Sequence, residues 1–242
     1  MEPQIDTGAA TTAKGSVRVQ EPTRAERLIA RRAAESRATV PDLELAAIVD
    51  MSAILAARSE LGAAAGTESA PSLTAVIVKA CAIALCESPR ANACYRDGHF
   101  ELYSRVNVGV AITTGDSFAV PTVTDADVKS VSEVSAELRS LAASVRAGTI
   151  TPPELAGATF TVANLGTLGV SAFNPPVVPP QAAILAVGAV REVPVVRNGD
   201  IVRGDEMQLT LACDHRILYG ALAAKFLARI RALLERPQEL LG

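Results

Sequence analysis

The chain has 242 residues, enough for one large α/β domain or two small ones with a real core. Its formal net charge of −3 gives no electrostatic reason to expect a nucleic-acid partner, and 49% of its residues are hydrophobic, with no Trp. No apolar run approaches the length of a membrane span, and the N-terminus lacks the charged-then-apolar pattern of a signal.

Residues 1–17 are small, polar and aperiodic, and read as a disordered tail ahead of a single domain over 18–242. Thr23-Arg24-Ala25-Glu26 has the form of a capping box, and Leu28, Ile29 and Ala33 extend a helical stripe to about Ser36. A strand is predicted over Leu43–Asp50, a helix over Met51–Leu61, and a Gly/Ala/Ser-rich loop over Gly62–Ala70. Ser72–Cys86 reads as the most apolar helix, stopped by Pro89. Cys81, Cys86, Cys94 and Cys213 show no metal-ligand spacing, so no metal is expected and the default is a reduced, cytoplasmic protein.

The middle of the chain turns to strand. A hairpin over Tyr95–Tyr103 should turn at Asp97-Gly98, followed by strands at Val106–Thr113 and Phe118–Val123. Ser130–Ala147 is an amphipathic helix with Gly148 as its stop, and Thr159–Asn164 is a strand. A Gly/Pro-rich loop runs from Leu165 to Pro180. Strands at Ala182–Val190, Val193–Arg197 and Met207–Asp214 continue the sheet, and Tyr219–Arg236 is the closing helix. One α/β domain with a large mixed sheet follows.

Of the two histidines, His99 adjoins a predicted hairpin turn and reads as a solvated surface residue. His215 ends a strand, follows Asp214, precedes Arg216, and lies five residues before Gly220, where a helix starts. A neutral imidazole at a strand end can accept a proton near pH 7, whereas a histidine merely tied down by Asp214 is the plainer alternative.

The surrounding blocks resemble the catalytic domain of the dihydrolipoamide acyltransferases of 2-oxo acid dehydrogenase complexes, relatives of chloramphenicol acetyltransferase. The resemblance runs from Ile29-Ala30-Arg31-Arg32 through Val49-Asp50-Met51 and Ile77-Val78-Lys79-Ala80 to Val108-Gly109-Val110-Ala111. It continues through Gly157–Gly166 and Pro180–Gly188 to Asp214-His215-Arg216. It implies a chloramphenicol acetyltransferase-like two-layer sandwich that forms a homotrimer or a larger assembly of trimers, with active sites across the subunit boundary. The family's general base then falls on His215, acting on an acceptor thiol or hydroxyl that attacks a thioester. Acyl-CoA is the implied co-substrate.

The chain also departs from the family. The family Asp four residues after the histidine is Tyr219 here, and its usual Arg partner maps near Glu26-Arg27. The Ser that donates to the oxyanion is Ala163. Thr161 on the same strand face, Asn164 beside it, and Thr167 and Ser171 in the following loop are the candidates to replace that donor. Arg216, Thr167 and Ser171 are also the candidates to contact acyl-CoA, although Arg216 serves equally well as a salt bridge to Asp214. The lipoyl domain of the complex-bound members is expected to be absent. The leading expectation is transfer of a short acyl group, acetyl first, from CoA to a hydroxyl of a small-molecule acceptor, as in antibiotic biosynthesis, a tetronate-type polyketide intermediate being the family-level example. The alternatives are a dihydrolipoyl acyltransferase core served by a separate lipoyl carrier, and an inactive trimeric scaffold.

Overall fold

The computed structural model describes residues 11–13, 15–17, 19–64, 70–114 and 117–241. Most of the expected tail lies outside the described residues; within it, β1 (Thr11–Thr12) pairs with β2 (Gly15–Ser16). The capping box at Thr23 forms as the sequence implies. Thr23 Oγ1 accepts from the Glu26 amide at 3.2 Å, Glu26 Oε2 accepts from the Thr23 amide at 2.6 Å, and helix α1 (Arg24–Thr39) follows. Both partners are exposed, so Glu26 does the work of a cap.

Strand β3 (Asp42–Asp50) leads into α2 (Ser52–Ala64), which runs past Gly62, and most of the expected Gly62–Ala70 loop lies outside the described residues. Helix α3 (Leu73–Glu87) is capped by Ser72 and buries nine of its fifteen residues. Hairpin β4 (Ala93–Arg96) and β5 (His99–Leu102) turns at Asp97 and Gly98, both at positive φ, as a two-residue loop of this type requires. Strands β6 (Val108–Thr114), β7 (Ser117–Ala119) and β8 (Thr122–Val123) precede α4 (Val131–Ala147), which Ser130 and Glu133 cap and Gly148 closes. Then come β9 (Phe160–Asn164), β10 (Ala183–Val187), β11 (Arg191–Arg197), β12 (Asp200–Asp214), α5 (Gly220–Glu235) and α6 (Gln238–Leu241).

Among the described residues the main sheet has eight strands and is mixed, as expected. Strands β6, β9 and β10 run parallel, while β12 is antiparallel to β10, β11 and β3. Alternation along the strands splits the apolar residues between two faces. Val110, Phe160, Val162, Leu185, Leu209 and Leu211 pack under α3, α4 and α5 in the main core, where Phe160 meets Phe226 edge-on at 5.7 Å. Ala163, Ile184 and Ala212 face the opposite side and are covered by Val177, Phe173 and Val178 of the Gly/Pro-rich loop. No helix among the described residues is long and apolar enough to cross a membrane.

Candidate active site

Strand β12 ends where β3 begins, with Asp214 opposite Asp42, and this register builds the histidine turn. The His215 amide donates to the Pro41 carbonyl at 2.9 Å, and the Asp214 amide donates to the Ala182 carbonyl at 2.8 Å. The Asp214 carbonyl accepts from the amides of Ile217 (3.1 Å) and Leu218 (2.9 Å), so the chain reverses tightly around His215. The Asp214 side chain is 6% exposed and fully engaged by Arg216: its amide at 3.0 Å, Nε at 2.9 Å and Nη2 at 2.6 Å. That fork is a charge-assisted, bidentate pair, and it holds the Arg216 guanidinium above its ordinary range. Arg216 therefore takes the salt-bridge role that the sequence left open.

The imidazole itself points outward and is exposed, with no hydrogen-bond partner among the described residues. Tyr219 is 50% exposed, forms the N-cap of α5, and makes no side-chain capping bond. Cys213, the other reactive type beside His215, is fully buried, and its Sγ donates to the Leu218 carbonyl at 3.3 Å. Burial pushes this thiol up to about 12, helped by the charges of Asp214 and Asp42, so it stays protonated and is no nucleophile near neutrality.

A cavity of about 840 Å³ opens on the sheet face carrying Ala163, under the loop Leu165–Val178 and beside α4. Thr161, Ala163, Asn164 and Thr167 line it; His215, Asp214, Arg216, Tyr219 and Ser171 do not. The predicted site residues thus fall into two groups, one on the cavity wall and one on the turn after β12. Ser171 instead accepts from Arg191 Nη1 at 3.4 Å. Thr161 donates its proton to Gln181 Oε1 at 2.7 Å. Asn164 uses both ends of its amide, donating to Thr74 Oγ1 at 3.0 Å and accepting from the Gly166 amide at 2.9 Å. The Thr74 hydroxyl keeps its own proton to give, and the Thr167 hydroxyl has no partner among the described residues.

Glycine is required where this loop crosses the sheet. A Cβ on Gly188 would overlap the Ser171 carbonyl oxygen, and one on Gly166 would overlap the Gly188 carbonyl. The Leu165 amide donates to Val187 at 3.2 Å and the Ala189 amide to Val170 at 2.8 Å, pinning the loop that carries Thr167. Sequence reasoning missed Thr74, Arg139, Arg146, Phe118 and Phe173 on the cavity wall. The two arginines carry no local signal, because on α4 they read as an ordinary solvated face. Among the described residues no cluster of three or more His, Cys, Asp or Glu could hold a metal.

Comparison with known proteins bears on both groups. The model of the 2-oxoacid dehydrogenases acyltransferase (catalytic domain) matches residues 14–242. The dihydrolipoyllysine-residue acetyltransferase component of the pyruvate dehydrogenase complex of Rhizobium meliloti is 35% identical over 88% of this chain and 49% of its own length. The chain spans about half the length of the curated relatives it matches. The dihydrolipoamide acetyltransferase of Azotobacter vinelandii superposes with a TM-score of 0.90 at 28% identity, over 100% of this chain and 99% of that one. That enzyme was studied for the role of a serine, a histidine and an asparagine in its catalytic mechanism. These fall 52 and then 4 positions apart, the spacing of Ala163, His215 and Tyr219 here. Chloramphenicol acetyltransferase, at 15% identity and a TM-score of 0.55 over 84% of this chain and 94% of its own, shares the fold. The chain belongs to the 2-oxoacid dehydrogenase acyltransferase (catalytic domain) family.

Proposed function

We propose that this chain transfers an acyl group, acetyl first, between coenzyme A and the thiol of a dihydrolipoyl group carried on another domain or polypeptide. His215 is the general base. The observation that carries this reading is an exposed imidazole on a turn locked by the pairing of Arg216 with the buried Asp214, in a chain of this family. The neutral imidazole takes the acceptor thiol's proton as the sulfur attacks the thioester carbonyl. The tetrahedral intermediate then collapses, the C–S bond to CoA breaks, and the leaving thiolate regains the proton from the imidazolium. A thioester is already activated, so alignment, a base and oxyanion donors suffice.

Ala163 supplies no hydroxyl, and the Thr161 proton is committed to Gln181. Thr167 and Thr74, both on the cavity wall and close to Ala163 along or across the chain fold, are two hydroxyls with a proton to offer the oxyanion. The imidazole does not line the cavity of its own chain. A second copy in a trimer, as the family resemblance implies, would bring its imidazole to that cavity and complete the site.

A second reading keeps the same chemistry with a small-molecule hydroxyl as acceptor. Ala163 and Tyr219 favour it, since both depart from the residue types of the Azotobacter enzyme at the same spacing. The relatives support the lipoyl acceptor more closely, and none of them points to a tetronate. The deciding experiment offers acetyl-CoA with dihydrolipoamide, or with a panel of alcohols that includes tetronate-type alcohols, and follows CoA release. Turnover with dihydrolipoamide by a species that elutes as a trimer supports the first reading. Turnover with an alcohol alone supports the second, and none with either leaves the inactive scaffold.

A further inference from the structure

We propose that Tyr95 is a positioning residue for His215, holding the histidine turn through the guanidinium of Arg216; this rests on the acyl-transfer reading above. The His215 side chain has no hydrogen-bond partner among the described residues, so its direction is set by the backbone on either side. On one side the His215 amide is fixed to Pro41. On the other stands Arg216, whose guanidinium lies between two partners: the Asp214 carboxylate at 2.6 Å and the Tyr95 ring, 4.6 Å from its centroid.

The contact does not stop at Tyr95. Phe100, across the hairpin, packs against that ring with centroids 6.0 Å apart and planes tilted by 55°. The Arg90 guanidinium lies 3.9 Å from the Phe100 centroid, and its Nη1 reaches the Ile217 carbonyl at 3.5 Å. Two rings and two guanidiniums therefore make a closed circuit that leaves the histidine turn at Arg216 and returns to it at Ile217. The same hairpin also reaches the hydrogen-bond partner of Thr161 on the cavity wall. Cys94 bridges to Gln181, the residue that accepts the Thr161 hydroxyl. Tyr95 thus sits on a hairpin that reaches both groups of site residues.

The ring face, not the phenolic hydroxyl, makes the contact with Arg216, so Tyr95→Phe should keep the function and Tyr95→Leu should lose it. The experiment uses the full chain and two readouts. In steady-state transfer from acetyl-CoA to dihydrolipoamide, Tyr95→Leu should lower kcat about three- to tenfold with KM for acetyl-CoA within about twofold, and Tyr95→Phe should match the parent. The second readout needs no turnover. With only two histidines in the chain, a His99→Gln background leaves a single imidazole signal in the NMR spectrum. Tyr95→Leu should shift or broaden that signal and Tyr95→Phe should leave it in place. An unchanged signal in Tyr95→Leu, or an equal change in both variants, overturns the proposal whatever happens to kcat. A parent protein that transfers nothing overturns the acyl-transfer reading, while the imidazole signal still decides whether Tyr95 orients His215. Should Tyr95→Leu fail to fold, Phe100→Leu, at a ring already 41% exposed, should shift the same signal by less, and no shift there would count against the circuit.

Discussion

Replacing Asp214 by Asn removes one charge from the turn and almost no volume. The carboxylate now receives three donors from Arg216, at 3.0, 2.9 and 2.6 Å, with its own side chain 6% exposed. Removing one partner of a buried ion pair costs about 3–5 kcal/mol, because the other charge stays desolvated. Two features reduce that figure. Asn keeps an oxygen for the Arg216 amide and one guanidinium bond, and the Arg216 side chain is 35% exposed, so water solvates part of the orphaned charge. The expected loss is about 1.5–3 kcal/mol, a fall in Tm of roughly 3–12 °C for a chain of this size. Thermal unfolding by circular dichroism at fixed protomer concentration measures it, since assembly makes Tm concentration-dependent. Acyl transfer well below the new Tm should fall as well, because the turn that aims His215 has lost its anchor. An Asp214→Asn protein with parental Tm and parental rate would refute the claim that this pair holds the histidine turn.

Three further outcomes follow from the same structure. Gly188→Ala should destabilise the chain by about 2 kcal/mol or more, because its Cβ would overlap the Ser171 carbonyl oxygen and the loop under Thr167 must move; a parental urea midpoint would contradict this. Ala163→Ser should raise transfer to dihydrolipoamide, by up to about 10²-fold if the new hydroxyl reaches the oxyanion, measured as CoA released; no gain would mean that another donor on the cavity wall, Thr74 or Thr167 first, already fills that role. The Glu133 carboxyl accepts from the Ser130 amide and hydroxyl, which holds it below its ordinary value of 4.5. A depressed value means that its stabilisation is full above about pH 4.5 and fades as pH falls through the folded value. The Tm gap between parent and Glu133→Gln should therefore be constant near neutrality and shrink as pH falls below 4.5; a gap that does not shrink over the acid range in which the parent still folds would show that the carboxylate's charge is not what caps α4.

How much could be read beforehand depended on the range of the interaction. Local signals gave α4, the β4–β5 turn and the start of α1 nearly residue for residue, since Thr23/Glu26, Ser130/Glu133, Gly148 and Asp97-Gly98 act within a few positions of themselves, whereas α1 runs three residues past the expected end at Ser36. His215 was singled out by its place at a strand end between Asp214 and Arg216, and its role as base came from the family resemblance. Strand β12 was read only from Met207. Its first half, Asp200–Glu206, is mostly polar apart from Ile201 and Val202, and becomes strand by pairing with β11, a tertiary event. The cavity was invisible as an object. Thr161, Asn164 and Thr167 lie close together in the chain, but Thr74, Phe118, Arg139 and Phe173 join them only through the sheet and the packing of α3 and α4. Tyr95 and Arg216 stand far apart in sequence, and nothing near either one foretells the contact.

The most direct test of the account is His215→Ala assayed for acetyl transfer from CoA to dihydrolipoamide, beside the parent at equal protomer concentration. The imidazole is exposed and has no hydrogen-bond partner among the described residues, so the substitution should leave the fold of the chain intact. Loss of the base should lower turnover by about 10²–10⁴. A His215→Ala protein that folds as the parent does and transfers at the parental rate would contradict the assignment of His215 as the base.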